Sequence, residues 1–199
     1  MKRARFLHWL MAICILTLLT TAYLPIFGIK IPWVTPHWIT GLVLAAALLI
    51  HIGWSLWPQR LRQMLFWFRD IKDAFMTLAW FFRLRKTEPD KPGKYSPAQK
   101  LIHHSFALVV LTSITTGLMM MVKIDTPLWK RNPYWLSPKT WGVVYGLHDL
   151  ASMLLVTMIM LHIYFALRPE KRLYLRSMLL GWITRAEYSS HHDQDRWRG

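Results

Sequence analysis

The chain has 199 residues, of which 54% are hydrophobic and 14% aromatic, and it carries a formal net charge of +15. This apolar content exceeds that of ordinary soluble domains, which argues against a conventional globular protein. The single cysteine, Cys14, excludes a disulfide framework and an iron–sulfur cluster held by this chain alone.

Four apolar segments follow one another along the chain, each close to the roughly 20 residues that a helix needs to cross a bilayer. The first follows Lys2, Arg3 and Arg5 as a signal peptide would, but no small-residue cleavage site comes after it, so it is interpreted as a helix. The sequence predicts an all-α integral membrane protein, with one domain over residues 1–199 and a bundle of four transmembrane helices. The helices are predicted at about 6–27, 37–57, 99–122 and 142–167, with a tail at 168–199.

Positive charge is unevenly distributed among the segments between these helices. Of the 25 Lys and Arg residues, three precede the first helix, ten lie in the connection 58–100 and seven follow Leu167, which leaves five for the other two loops. Because basic residues concentrate on the cytoplasmic side, both termini and the long connection are predicted to be cytoplasmic, in a multi-pass protein of the bacterial inner membrane. On this interpretation the basic residues set the orientation of the helices in the membrane and contact anionic lipids, and no nucleic-acid partner is expected.

The second and third connections between the predicted helices both have the composition of segments that lie at a membrane interface. The stretch MLFWFRDIKDAFMTLAWFFRLRK, between the second and third helices, is apolar with scattered charges and predicts a helix lying in the cytoplasmic interface. The loop 123–141 is rich in Trp and Pro, and its aromatic residues are predicted to anchor it at the outer interface: Trp129, Tyr134, Trp135 and Trp141.

Two histidines bracket an apolar run near the end of the chain, LHDLASMLLVTMIMLHIY. Thirteen residues separate His148 from His162, and only three of them are polar. At about 1.5 Å and 100° per residue, the two side chains lie about 21 Å apart on nearly the same face of one helix. Because an imidazole in apolar surroundings is costly without a partner, this spacing indicates a site near each face of the bilayer.

Other histidines fall into the same two layers. His37, at the outer end of the second helix, matches His148, at the outer end of the fourth. His162 lies in the inner layer, and its partner is either His8 on the first helix or His51, which is fourteen residues from His37. Two imidazoles from different helices in each layer are what two bis-histidine haems require.

A zinc or copper transport site is the competing use of histidines within a membrane. Such a site gathers its ligands at one depth, often with carboxylates. Here the histidines are layered, and Asp149 is the only acidic residue within the predicted helices. Haem is therefore the favoured ligand. Gly41, one turn after His37, either leaves room for a flat macrocycle or permits close helix–helix contact.

Several short motifs occur in a fixed order along the chain: FLHWLMAICI, HWITG, GKYSPAQK, TTG, HIYFA and GWITRAEYSSHHD. Together with the His148–His162 spacing, this set resembles the cytochrome b (gamma) subunit of respiratory formate dehydrogenase. That subunit belongs to the wider superfamily of bacterial cytochrome b561 and Ni-Fe hydrogenase-type cytochromes b. The resemblance covers nearly the whole chain.

The resemblance implies an electron-transfer and quinone-reducing subunit with two b haems, rather than the subunit that oxidises the substrate. By position, His37 and His148 match the ligands of the outer haem, and His8 and His162 match those of the inner haem; His51 stays the alternative inner ligand. The implied partners are a periplasmic iron–sulfur subunit, a molybdenum, tungsten or Ni-Fe catalytic subunit, and menaquinone or ubiquinone near the cytoplasmic side.

The quinone segment of the family falls on YSPAQK, with Ser96, Ala98 and Gln99 at the matching positions and His162 beside them. His103 is a candidate to relay a proton, because imidazole titrates near neutral pH. A plainer interpretation is that Ser96 and Gln99 only cap the third helix, while Lys94 and Lys100 hold lipid phosphates.

Two other functions stay open from the sequence. The same fold can work alone, as a b561-type quinol oxidoreductase without a catalytic partner. The chain can also be a haem-free membrane anchor or a metal transporter.

Overall fold

The computed structural model describes residues 2–198, apart from the side chains of Gln59 and Arg198. Within this range the chain forms helices joined by turns and loops. The helices are α1 (Lys2–Ile26), α2 (Val34–Ser55), α3 (Pro58–Met64), α4 (Phe68–Phe81), α5 (Pro97–Met121), α6 (Pro138–Leu167), α7 (Arg172–Leu180), α8 (Arg185–His191) and α9 (Gln194–Arg198).

Four of these helices, α1, α2, α5 and α6, are long and apolar enough to cross a membrane. This confirms the prediction of an all-α protein with four membrane-length helices. Helix α6 begins at Pro138 rather than at residue 142, because its start is capped. The Oγ atom of Ser137 accepts a hydrogen bond from the Thr140 N–H (3.2 Å), and Pro138 occupies the first turn, where no N–H is needed.

The chain divides into two compact units. The first comprises the chain up to Ile52 together with Phe106–Arg168, and so contains α1, most of α2 and α5, and α6. The second comprises Gly53–Ser105 together with the chain from Pro169 onward, and so contains α3, α4, the start of α5 and the helices of the tail.

The core of the first unit is an apolar layer at mid-length of its helices. All four helices contribute buried side chains to it: Cys14, Leu44, Leu48, Val110 and Leu155. Leu155 lies seven residues from both His148 and His162, and Leu44 lies seven residues after His37. Seven residues span about 10 Å of helix, so this layer separates the histidines at one end of the helices from those at the other.

The loop before α6 is held by indole groups. Trp129 Nε1 donates to the Met121 carbonyl (3.1 Å), and Trp141 Nε1 donates to the Pro133 carbonyl (3.1 Å). Tyr134 and Trp135 are exposed, as anchors at an interface would be, whereas Trp141 is only 4% exposed. Trp141 therefore packs inside the protein, which the composition of the loop did not reveal.

In the second unit, the apolar stretch between α2 and α5 forms one helix, α4, which is shorter than the stretch because it begins at Phe68 and ends at Phe81. Helix α3 ends at Met64, and Leu65 has extended backbone angles. The Asp70 carboxylate then accepts a hydrogen bond from the Trp67 N–H (2.8 Å), which satisfies one of the free donors at the start of α4. The acid in the first turn thus fixes where α4 begins.

Asp70 also forms a buried ion pair with Lys100 on α5. The Lys100 Nζ atom lies 2.9 Å and 2.8 Å from the two Asp70 carboxylate oxygens and donates a further hydrogen bond to the Leu65 carbonyl (3.0 Å). The side chains of Lys100 and Asp70 are 8% and 12% exposed. Lys100 is therefore a structural cation, and the interpretation that it holds a lipid phosphate is wrong.

The tail closes over the connection that leads to α5. The His192 Nδ1 atom hydrogen-bonds to the Gly93 carbonyl (2.7 Å), and the Asp193 N–H donates to the Pro92 carbonyl (3.0 Å). A Cβ atom on Gly93 would lie 2.6 Å from the Arg196 carbonyl oxygen, so only glycine permits this close approach. The tail, in which seven of the Lys and Arg residues lie, is thus packed on the segment that precedes α5.

Helix α8 carries its own N-terminal cap. The Thr184 hydroxyl accepts from the Glu187 N–H (3.2 Å), and the Glu187 carboxylate accepts from the Thr184 N–H (2.8 Å). Those contacts with Thr184, together with a hydrogen bond from the Arg176 guanidinium, lower the pKa of Glu187 to about 2. This capping box therefore stays intact across the physiological pH range.

We predict that the Asp70–Lys100 pair is required for the order of the second unit. Removing one partner of a buried ion pair leaves an uncompensated charge and costs about 3 kcal/mol or more. In hydrogen exchange measured by mass spectrometry, Asp70→Asn and Lys100→Met should each lower protection of residues 58–105 by about 100-fold. The double variant should recover most of it, since no charge is then left alone. Lys72→Met, an exposed lysine on α4, is the control. Unchanged protection in both single variants would contradict the prediction.

Candidate functional site

Two pairs of imidazoles face each other in the first unit. His37, in the first turn of α2, faces His148 of α6, with ring centroids 6.4 Å apart. His8 of α1 faces His162, near the end of α6, with ring centroids 6.3 Å apart. The interplanar angles are 66° and 52°. The structure thus brings together the four histidines that the sequence favoured.

The separations within the two pairs are suited to a metal held between the rings. A metal–imidazole bond is about 2 Å long and the nitrogen lies about 1 Å from the ring centre, so two axial imidazoles have centroids about 6 Å apart. Direct hydrogen bonding or stacking between the rings would bring them closer. The two pairs therefore fit the axial ligation of two haem irons.

The His37–His148 pair has small and hydroxyl-bearing neighbours, in addition to Trp33, whose ring centroid lies 6.2 Å from that of His37. The Thr21 Oγ1 atom lies 2.9 Å from His37 Nδ1, and the Thr116 Oγ1 atom lies 2.9 Å from His148 Nδ1. A Cβ atom on Gly117 would lie 3.3 Å from His148 Cε1, which is closer than nearly all real contacts of this kind. A larger residue at position 117 would therefore displace the His148 ring.

The His8–His162 pair has aromatic neighbours. Trp9 contacts the edge of His8, with centroids 5.3 Å apart, and Phe106 contacts the edge of His162, with centroids 5.9 Å apart. His8 is half-buried and His162 is exposed. The ring that faces His162 is that of His8, while His51 lies half-buried near the end of α2.

Three residues of this site were not identified as such from the sequence. Thr21 lies sixteen residues before His37 on a different helix, so no local pattern connects them. Thr116 and Gly117 belong to the TTG motif, which carried the family resemblance without an assigned role. Helix packing does not require glycine at position 41, since a Cβ atom there would make ordinary contact with Leu18 Cδ2 at 4.0 Å.

A second group of predicted residues lies at the start of α5, in the second unit. The Ser96 Oγ atom accepts from the Gln99 N–H (3.3 Å), and the Gln99 Oε1 atom accepts from the Ser96 N–H (2.8 Å). This reciprocal pair is a capping box, as the plainer interpretation of the two residues predicted. It uses the oxygen of the Gln99 amide and leaves the Nε2 hydrogens available as donors.

The residues around this capping box are polar and partly buried. Lys94 Nζ donates to Gln63 Oε1 (2.8 Å), and burial together with the nearby Arg60 charge lowers the pKa of Lys94. Burial raises the pKa of the Tyr95 phenol, which therefore stays protonated at neutral pH. His103 and His104 follow on α5 with ring centroids 5.6 Å apart, and both are exposed.

Within residues 2–198, no three or more His, Cys, Asp or Glu side chains are grouped closely enough to hold a bare metal ion. The histidines instead stand in facing pairs, as a haem with two axial imidazoles requires.

Four membrane-length helices with facing imidazoles between them define a multi-pass membrane protein built like the cytochromes b. The comparison with known families agrees with this class. The sequence model of the family described as prokaryotic cytochrome b561 matches residues 2–181, and the chain belongs to that family. It is accordingly a multi-pass protein of the bacterial inner membrane and a haem b-binding cytochrome of electron transport.

The chain is also similar to a curated relative, the formate dehydrogenase, cytochrome b556 subunit of Haemophilus influenzae. The two are 24% identical over 206 residues, which cover 98% of this chain and 79% of the relative. The family suspected from the sequence motifs is thereby confirmed.

Proposed function

We propose that this chain is a di-haem cytochrome b subunit that carries electrons across the membrane from a periplasmic dehydrogenase module to quinone. The observation that carries the proposal is the presence of two facing histidine pairs, with centroid separations of 6.4 Å and 6.3 Å, near opposite ends of the membrane-length helices. His37 and His148 hold the outer haem, and His8 and His162 hold the inner one.

When bound, haem b supplies a one-electron carrier at each layer. The protein contributes the axial nitrogens and the apolar medium between the layers. Cys14, Leu44 and Leu155 fill the space midway between the histidine pairs with apolar side chains and exclude water there. Exclusion of water lowers the local dielectric and raises the cost of any unpaired charge at this depth.

The ligand assignment predicts the haem content of variants. Pyridine haemochrome analysis of the purified chain should give two b haems. Each of His37→Ala, His148→Ala, His8→Ala and His162→Ala should retain one, because loss of one axial imidazole releases the haem that it shares. His51→Ala and the control His104→Ala should retain both. If His51→Ala loses a haem and His8→Ala keeps two, helices α2 and α6 hold both haems and the assignment of His8 is wrong.

The proposal includes association with a catalytic complex. Its support is the similarity to a relative that is named as a formate dehydrogenase subunit. The partners proposed are an iron–sulfur subunit and a molybdenum, tungsten or Ni-Fe catalytic subunit. A cytochrome that works alone as a b561-type quinol oxidoreductase is the alternative, and a haem-free anchor is disfavoured by membership of a haem-binding family.

We predict that mild-detergent purification from the native membrane yields the chain together with an iron–sulfur protein and a metal-containing dehydrogenase. Metal analysis and mass spectrometry of the purified complex measure this outcome. A chain that purifies alone, with both haems bound and reducible by quinol, would instead establish the stand-alone oxidoreductase.

We also propose that menaquinone or ubiquinone binds at the start of α5. Quinone reduction consumes two electrons and two protons, so the site needs a hydrogen-bond donor to a carbonyl oxygen and a path for protons. The Ala98 N–H in the first turn of α5 and the Gln99 Nε2 atom are such donors. Ala98 is small and exposed, and His103, one turn after Gln99 on α5, supplies an imidazole that can accept or donate a proton.

Two substitutions of Gln99 separate quinone binding from helix capping. Gln99→Glu keeps an oxygen that accepts from the Ser96 N–H but removes both amide donors, whereas Gln99→Ala removes the cap as well. Both should slow haem re-oxidation by a quinone analogue in proteoliposomes about fivefold to tenfold, as expected for one lost hydrogen bond of about 1 kcal/mol. His103→Ala should slow it too, with both haems still bound. Normal rates in Gln99→Glu would leave Gln99 only its capping role.

The topology is a further part of the proposal: both termini are cytoplasmic, and α4 lies in the cytoplasmic interface. Its support is the excess of Lys and Arg in these segments and the pattern of α4 itself. Phe68, Ile71, Phe75 and Leu78 are exposed and fall within an arc of about 80° on α4. The two acids on the opposite side are engaged within the second unit, Asp70 by Lys100 and Asp73 by Arg196.

This arrangement predicts which face of α4 contacts lipid. A nitroxide on Phe75→Cys should be accessible to oxygen and shielded from a water-soluble nickel reagent in proteoliposomes, because an interfacial helix buries its apolar face in the acyl boundary. Thr77→Cys, on the polar side of α4, is the control and should show the opposite pattern. Equal access of the nickel reagent at both positions would place α4 in water.

A further inference from the structure

The threonines beside the His37–His148 pair occupy equivalent positions on two different helices. Thr21 on α1 and Thr116 on α5 are 7% and 5% exposed. Each places its hydroxyl oxygen 2.9 Å from the Nδ1 atom of one histidine of the pair. A single threonine beside a histidine is an ordinary packing contact, but two matched contacts, one for each ring, indicate a shared role.

Each threonine also contacts a carbonyl one turn back on its own helix. Thr21 Oγ1 lies 2.9 Å from the Thr17 carbonyl oxygen, and Thr116 Oγ1 lies 2.6 Å from the Thr112 carbonyl oxygen. A hydroxyl has one hydrogen to donate, and a carbonyl oxygen can only accept it. The hydroxyl oxygen therefore accepts from Nδ1–H of the histidine, which also hydrogen-bonds to a backbone carbonyl, that of Leu18 for His37 and that of Ser113 for His148. The lone pair of Nε2 is left to bind a metal.

We infer that Thr21 and Thr116 are positioning residues of the outer haem. They hold His37 and His148 in the tautomer and orientation needed for axial ligation, and they lower the reduction potential of the haem bound there. This inference rests on the proposed function, since it requires that the pair ligates a haem iron.

The direction of the effect on the potential follows from the hydrogen bonds. An acceptor on Nδ1–H makes the imidazole a more basic ligand, and a more basic ligand stabilises ferric over ferrous iron. The hydroxyl donates to a carbonyl while it accepts from the imidazole, and such a chain of hydrogen bonds strengthens each member. Removal of the hydroxyl should therefore raise the potential.

The test uses substitutions that keep shape and remove the hydroxyl. Thr21→Val and Thr116→Val are the test variants, and Thr21→Ser and Thr116→Ser restore the hydroxyl. Thr20→Val and Thr112→Val are matched controls on the same helices, because their hydroxyls contact only backbone carbonyls, those of Leu16 and Leu108. Haem content, redox titration of the visible spectrum and the low-spin electron paramagnetic resonance signal are measured for each.

Both valine variants should keep two haems. The component of the redox titration that disappears in His148→Ala should shift to higher potential, by more in the double variant than in either single one. Its resonance signal should change, because the rings are freer to rotate. The other component should stay unmoved, the controls should match the unmodified protein, and the serine variants should return towards it.

Two results would overturn the inference in distinguishable ways. An unmoved potential and an unmoved resonance signal, with both haems in place, would show that the threonines only pack against the histidines, and the proposed function would stand. If His148→Ala loses no haem component, the ligand assignment fails, and the inference fails with it.

Discussion

The arrangement of this protein depends on one constraint: imidazole groups within an apolar helix bundle need partners at the same depth. Helix α6 carries a histidine near each end of its membrane-length portion, fourteen residues apart, so it presents two rings on nearly one face. His37 on α2 and His8 on α1 supply the facing rings. The helical repeat of α6 thus fixes the spacing of the two histidine layers. Helices α1 and α2 must place their own histidines at the same two depths.

The packing of the first unit follows from this layering. Between the two histidine pairs, apolar side chains from all four helices fill the interior, with Leu155 midway between the histidines of α6. Small and hydroxyl-bearing residues gather at the His37–His148 pair, where Gly117 lets the His148 ring approach α5. Each pair also has aromatic neighbours, Trp33 beside His37 and Trp9 and Phe106 beside His8 and His162. The threonine hydroxyls therefore distinguish the surroundings of the His37–His148 pair.

The second unit is held by polar contacts rather than by a large apolar core. A buried ion pair joins α4 to the start of α5, and the tail packs its backbone and His192 against the connection at 91–93. Some of the basic residues concentrated in these segments therefore form contacts within the protein. Lys100 illustrates this, because its partner, Asp70, lies thirty residues away and no local pattern links the two.

The four membrane-length helices and the layering of His37, His148 and His162 could be predicted from the sequence, because hydropathy and helical periodicity are local properties. The same periodicity left His8 and His51 as alternative partners of His162, and the family resemblance favoured His8. Which side chains surround these histidines, and which contacts the polar residues near α5 make, became clear from the folded structure alone. Thr21 contacts His37 across two helices, and Trp141, in the first turn of α6, is buried against the loop that precedes this helix. Contacts between distant segments depend on helix rotation and loop geometry, which a single sequence does not encode in any short pattern.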